Sequence, residues 1–207
     1  MADECCAAKA GELEILARRA DQRRILIAVL VINAVMFVAE FGAGVIAGSA
    51  SLMADASDML GDSLVYGFSL FALHRSDRWK GGAALAKGVI ILAFGVAVLV
   101  EVAIKLRSGV PPSSGLMLVF GLLALAANLV CLALLWRFRE HDVNMASTFE
   151  CSRNDVISNV GVLIAAAGVA STGAPWPDLV VGTIVALLFL RSGFLVIRNA
   201  LPVLRQG

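Results

Sequence analysis

Residues 51–63 read Ser51-Leu-Met-Ala-Asp55-Ala-Ser-Asp58-Met-Leu-Gly-Asp62-Ser63, an apolar stretch that carries three carboxylates. A second stretch reads Phe149-Glu-Cys151-Ser-Arg-Asn-Asp155-Val-Ile-Ser-Asn159. Asp58 and Asp62 are four residues apart, as are Cys151 and Asp155. On an α-helix this spacing puts both members of a pair on one face. Both stretches lie in runs long and apolar enough to cross a bilayer. A carboxylate there costs about 2.5–3.5 kcal/mol on insertion scales. Three of them in one span, with a thiol and a fourth in another, point to a divalent metal site within the membrane.

Working outward, the rest of the chain is mostly membrane-spanning. Of its 207 residues 59% are hydrophobic and only 16% are charged. Its mean hydropathy of +0.87 is far above that of an ordinary soluble domain. Hydropathy predicts six spans, Ile25–Ala47, Leu52–Leu73, Ala83–Leu106, Leu116–Leu135, Ala146–Thr172 and Leu179–Ile197. Each can cross a hydrocarbon core of about 30 Å. The expected fold is an all-α integral membrane protein of six transmembrane helices. Residues 1–24 are expected to be a cytosolic tail, 25–199 the transport domain, and 200–207 a short tail with no cytosolic domain. The mixed-charge start lacks the apolar core of a cleaved signal peptide. Leu13, Ile15 and Leu16 suggest a short surface helix running into span one.

Lys and Arg set the orientation. Arg18, Arg19, Arg23 and Arg24 precede span one, and Arg75, Arg78 and Lys80 follow span two. Arg137 and Arg139 follow span four, and Arg198 and Arg205 follow span six. The opposite turns hold only Lys105 and Arg107. Both termini are therefore expected in the cytoplasm, with the bilayer as the surrounding partner. The net charge of +1 and the absence of a basic stripe give no sign of a nucleic-acid partner.

The four cysteines do not form a disulfide framework, since Cys5 and Cys6 lie in a cytosolic tail and Cys131 and Cys151 within spans. All five prolines fall outside the predicted helix interiors. Trp79, Trp136 and Trp176 sit at span ends, where indoles favour the headgroup level. Gly44 and Gly48 form a Gly-x-x-x-Gly suited to a close helix contact, within the chain or in a homodimer.

Depth is an independent check on the paired helices. Asp62 lies roughly 15 Å below the outer end of span two, and Asp155 roughly 13 Å above the inner end of span five. Both reach the bilayer centre, so antiparallel spans can set Asp58 and Asp62 against Cys151 and Asp155. Four ligands, two per helix, suit tetrahedral coordination. Three oxygens and a thiolate fit Zn²⁺, and the sulfur admits Cd²⁺. Mg²⁺ fits less well, since it prefers octahedral oxygen. The bland alternative pairs the carboxylates with buried cations, of which Arg191 in span six is the strongest candidate, ahead of Lys87 and Arg153.

Other polar residues stay open. Asp55 either caps, hydrogen-bonds or lines an exit path. Glu40 is a candidate proton carrier. Asn33 and Asn128 are expected to hydrogen-bond between helices. Glu101 is expected to pair with Lys105 at i+4. His74 with Asp77, Glu140-His141-Asp142, and Cys5 with Cys6 read as solvated groups, with metal hand-over as the alternative. Cys131 reads as a small core hydrophobe.

These motifs resemble those of the cation diffusion facilitator family of metal transporters. Gly48 through Ser63 looks like that family's second-span motif, and Asn144 through Val162 like its fifth. Glu101, Pro111-Pro112, Met117 and Asn128 are similar to its third and fourth spans. The resemblance implies efflux of a divalent metal from the cytosol in exchange for protons, with Asp58, Asp62, Cys151 and Asp155 as ligands. It implies no cofactor: Zn²⁺ or Cd²⁺ is bound as substrate. Two departures stand out. The family commonly has His where Cys151 stands, and usually a cytosolic metal-binding domain after span six.

Alternating access fits this reading, with metal and protons competing for one cluster. Rival classes are a non-transporting membrane metal sensor or accessory subunit, an intramembrane aspartyl protease, and a passive channel. Met59-Leu-Gly-Asp62 lacks the first glycine of the protease's Gly-x-Gly-Asp motif. A channel needs polar groups along a whole pore, and these cluster at one depth. The chain is expected not to be an enzyme.

Overall fold

The computed structural model describes the backbone of residues 2–72, 77–139 and 143–206. Side chains are described at 20–64, 66, 67, 82, 85, 86, 88–139, 149 and 152–198. The elements are α1 (Ala2–Ala47), α2 (Ala50–Ala72), α3 (Asp77–Ser108), α4 (Ser114–Trp136), α5 (Val143–Thr172) and α6 (Trp176–Gln206). No strand occurs among the described residues. The six expected spans each fall on one helix. Among the described residues, five of the helices hold stretches long and apolar enough to cross a membrane. The sixth, α2, has 23 residues and the length to cross, but carries the three carboxylates.

The ends of the helices follow from local chemistry. Gly48, Gly109 and Gly173 take φ of +66°, +65° and +62° at the turns α1–α2, α3–α4 and α5–α6. Each ends its helix in the left-handed conformation that glycine reaches without a Cβ penalty. Pro111-Pro112 lie in the second of these turns, as expected. Pro177 is the second residue of α6, a first-turn position that requires no donated hydrogen bond. Pro202 corrects the reading of the prolines: it lies inside α6, which runs on to Gln206. A proline removes one backbone bond, and here one further turn continues past it. The N-terminal segment is a helix that runs into span one, as expected. It is helical from Ala2 and continuous with span one, with no proline or other break between.

Packing puts α2 at the centre. It touches all five other helices, and α1, α4, α5, α6 and α3 surround it in that order. The ring closes between α1 and α3 through Phe37, Phe41 and Phe94, with edge-on centroids 5.8 and 5.7 Å apart. Polarity is inverted relative to a soluble protein. Val35, Val38, Ile46, Val119, Ile164 and Leu188 are exposed, while Asn33, Glu40, Asp55, Asn128, Asp155, Asn159 and Asp178 are buried. An apolar exterior around a polar interior is the arrangement a hydrocarbon solvent selects. The chain is a multi-pass membrane protein.

Small residues let the central helix be enclosed. Gly44 faces Met53, where an added Cβ would lie 2.8 Å from Cγ and 3.1 Å from the backbone nitrogen. Gly44 therefore serves α1–α2 contact within the chain, while a Cβ at Gly48 would meet Lys105 of α3. At Gly182 of α6 a Cβ would come within 2.8 Å of the Ala50 carbonyl carbon and the Ser51 nitrogen. These are backbone atoms that cannot rotate aside. Gly182→Ala should therefore destabilise the bundle by about 1–3 kcal/mol. Gly42→Ala, with open space around it, should not. Thermal unfolding of the two variants in detergent checks the contrast.

Candidate metal centre

Asp58 and Asp62 lie one turn apart on α2, and Asp155 lies on α5. All three line one cavity of about 550 Å³ between α2, α5 and α6. Asp58 is half-buried, Asp62 and Asp155 buried. The Asp155 carboxyl is within hydrogen-bonding reach of both Asp58 and Asp62. Asp62 also accepts a hydrogen bond of 3.0 Å from the Tyr66 hydroxyl, one turn on. Asn154 and Ser158 of α5 and Ser192 of α6 add neutral polar lining. Val181, Ile184, Val185, Leu188 and Phe189 of α6 supply the apolar wall. Phe189 presses against the backbone of α2, since a Cβ at Gly61 would meet its ring at 2.8 Å.

The antiparallel pairing expected of spans two and five is visible in the side chains. Asp55 precedes Asp58 on α2, and Asn159 follows Asp155 on α5. The Asn159 amide donates to the Asp55 carboxylate, a bond that can form only if the helices run in opposite directions. Asn128 of α4 in turn donates to Asn159 at 2.9 Å. Asp55 is thus a buried hydrogen-bond acceptor joined to α5 and, through it, to α4. Glu40 of α1, fully buried, sits within reach of Asp55 on the other side.

The four expected ligands are placed unequally. Asp58, Asp62 and Asp155 converge on one cavity. Cys151 is on α5, one turn before Asp155, and its side chain lies outside the described residues. The side chains of Cys5, Cys6, His74, His141 and Lys87 also lie outside them. Among the described residues no three His, Cys, Asp or Glu side chains close to metal-holding geometry. Ionised carboxylates this near one another repel, by about 4 kcal/mol for a pair at 4 Å and an effective dielectric of 20. Either a cation or protons can neutralise three of them, so the cavity is a place where the two compete. Arg191, the rival cation, is exposed rather than turned into the cavity.

Smaller expectations resolve individually. Glu101 pairs with Lys105 at 3.3 Å. Cys131 is buried and packs with Val29, Leu135 and Phe149. Asn128 bonds between helices as expected. Asn33 also bonds between helices, donating to Cys131 Sγ of α4 at 3.9 Å as well as to Val29 of its own helix at 2.9 Å.

Asp178 escaped the sequence reading altogether. It lies in the first turn of α6 and is fully buried. Its carboxylate accepts the hydroxyls of Ser49 and Ser51 at 2.6 Å each. It also accepts the backbone N–H groups of Ala50 and Ser51, at 2.8 and 3.0 Å. A carboxylate from α6 thus caps the N-terminus of α2, where orphan N–H groups and the helix dipole favour negative charge. Ser49 and Ser51 before the apolar run hinted at a cap, but the acidic partner lies far away in the chain. Asp178→Ala should lower stability by roughly 2–3 kcal/mol, because it strands buried donors around a lost charge. Thermal unfolding in detergent measures this, and Asp178→Asn should recover only part of the loss.

The family model for the cation efflux transmembrane domain matches residues 26–205. The zinc transporter ZitB of Yersinia pestis is 26% identical over 206 residues, covering 93% of this chain and 66% of that protein. A Bacillus velezensis protein named as a cadmium, cobalt and zinc/H(+)-K(+) antiporter is 26% identical over 203 residues, covering 90% of this chain and 64% of that one. The metal cation efflux system protein CzcD of Cupriavidus metallidurans is 26% identical over 191 residues, covering 86% and 60%. The chain spans 60 to 66% of the length of these three relatives. With the family match running from the start of the first span to the end of the last helix, the chain belongs to the cation efflux transmembrane domain family.

Proposed function

We propose that the chain exports a divalent transition-metal cation, Zn²⁺ or Cd²⁺, from the cytosol across the cytoplasmic membrane of a bacterium in exchange for protons. The observation that carries this is the convergence of Asp58, Asp62 and Asp155 on one cavity inside a lipid-facing bundle. Cys151 is the fourth ligand in this reading. The relatives' names support the ion class, since they include zinc, cadmium and cobalt and one proton-linked antiporter. The family is one of transporters rather than enzymes.

The mechanism follows from competition. Facing the cytosol, the carboxylates take the metal and give up protons. Facing outward, protons return and displace the metal. Membrane potential and the external proton excess drive the net exchange. Apolar side chains of α6 form one wall of the cavity, facing the carboxylates of α2 and α5.

Proteoliposomes with an imposed pH gradient test this. Zn²⁺ and Cd²⁺ flux should depend on the gradient in the wild type. Binding without flux would favour the sensor or accessory reading, and flux indifferent to the gradient would favour a channel.

A further inference from the structure

Glu40 has no place in the proposed ligand set, yet it is among the largest fully buried side chains of the bundle. Neither of its carboxyl oxygens has a hydrogen-bond donor among the described residues. The group it faces, within hydrogen-bonding reach, is another carboxyl, that of Asp55. Two ionised carboxylates cannot hydrogen-bond, because each only accepts. A single proton between them supplies the missing donor and removes one buried charge.

The surroundings leave little else to do so. Of the helices packed on α1, α2 presents Asp55 to Glu40, with Asp58 and Asp62 farther along. α4 presents Cys131, which lies against Asn33 instead. α3 meets α1 through Phe94, and its Glu101 and Lys105 pair with each other. On the far side of Asp55, Asn159 donates its amide. That bond satisfies Asp55 and leaves Glu40 without a donor.

We propose that Glu40 and Asp55 share one proton, forming a proton-binding site separate from the metal cavity, and that metal binding releases this proton. The coupling is short. Asp55 is three residues from Asp58, about 4.5 Å along the helix. Asn159 ties Asp55 to α5 one turn beyond Asp155. A divalent charge held between α2 and α5 favours ionisation of the pair, and drawing the two helices together moves Asp55 relative to Glu40. This rests on the exchange reading above and names a second carrier for its protons.

Calorimetry of Zn²⁺ binding to the detergent-solubilised full chain, in buffers of different ionisation enthalpy, counts the protons released per metal. Glu40→Gln places an amide donor where the shared proton would be, so fold and Zn²⁺ affinity should hold within about threefold. Its proton count should fall by one relative to the wild type. Asp55→Asn supplies the donor from the other side and should show the same deficit, so the test does not hang on one variant. Equal proton counts in wild type and both variants, with Zn²⁺ flux intact, would overturn this inference alone. No Zn²⁺ flux by the wild type in proteoliposomes would overturn the exchange reading and this inference with it.

Discussion

Asp155→Ala should reduce gradient-driven Zn²⁺ flux by more than about 100-fold while the protein still inserts and folds. Groups that merely orient a metal ligand are worth 10–100-fold in affinity, so removing a ligand should exceed that range. Asp155 is also the α5 carboxyl that lies within reach of both Asp58 and Asp62. Its loss removes the carboxyl that α5 contributes to the cavity. Stability should not fall in parallel, because the substitution relieves repulsion between buried carboxyls. The readout is flux in proteoliposomes alongside thermal unfolding. Flux retained in a folded Asp155→Ala protein would remove α5 from the site, and Asp58→Ala should match it.

Cys151→His should change selectivity rather than abolish transport. Imidazole and thiolate both bind Zn²⁺, whereas the softer Cd²⁺ depends more on sulfur. Zn²⁺ flux should persist, and the Cd²⁺/Zn²⁺ ratio should fall on the order of tenfold, equivalent to about 1.4 kcal/mol. Competition of the two ions for flux gives the ratio directly. An unchanged ratio would show that Cys151 is not a selective ligand.

The parts legible in the sequence are those set by local chemistry or by the cost of charge in lipid. Apolar runs and Pro111-Pro112 marked the helices. Asp58, Asp62 and Asp155 stood out because carboxylates are so rarely left in hydrocarbon without a task. The role of Asp55 was not legible. On α2 it shares a face with Asp58, and only the fold turns it toward Asn159 and Glu40. Asp178 stands in the first turn of its own helix, and nothing near it in the sequence marks its role. Its partners Ser49, Ala50 and Ser51 stand 127–129 residues away. Gly44 and Gly48 fitted either an internal or an intermolecular contact, and the choice depended on where Met53 packs. In each case the missing information was which helix packs against the residue, which no spacing encodes.

X-ray absorption on the Zn²⁺-loaded protein, with Cys5 and Cys6 replaced by Ser, tests the central claim most directly. One sulfur at about 2.3 Å and three oxygens at about 2.0–2.2 Å are expected around a single Zn²⁺. Asp155→Ala should lower the oxygen count, and Cys151→Ser should remove the sulfur. A shell without sulfur, or one unchanged by these substitutions, would contradict a metal centre built from Asp58, Asp62, Cys151 and Asp155.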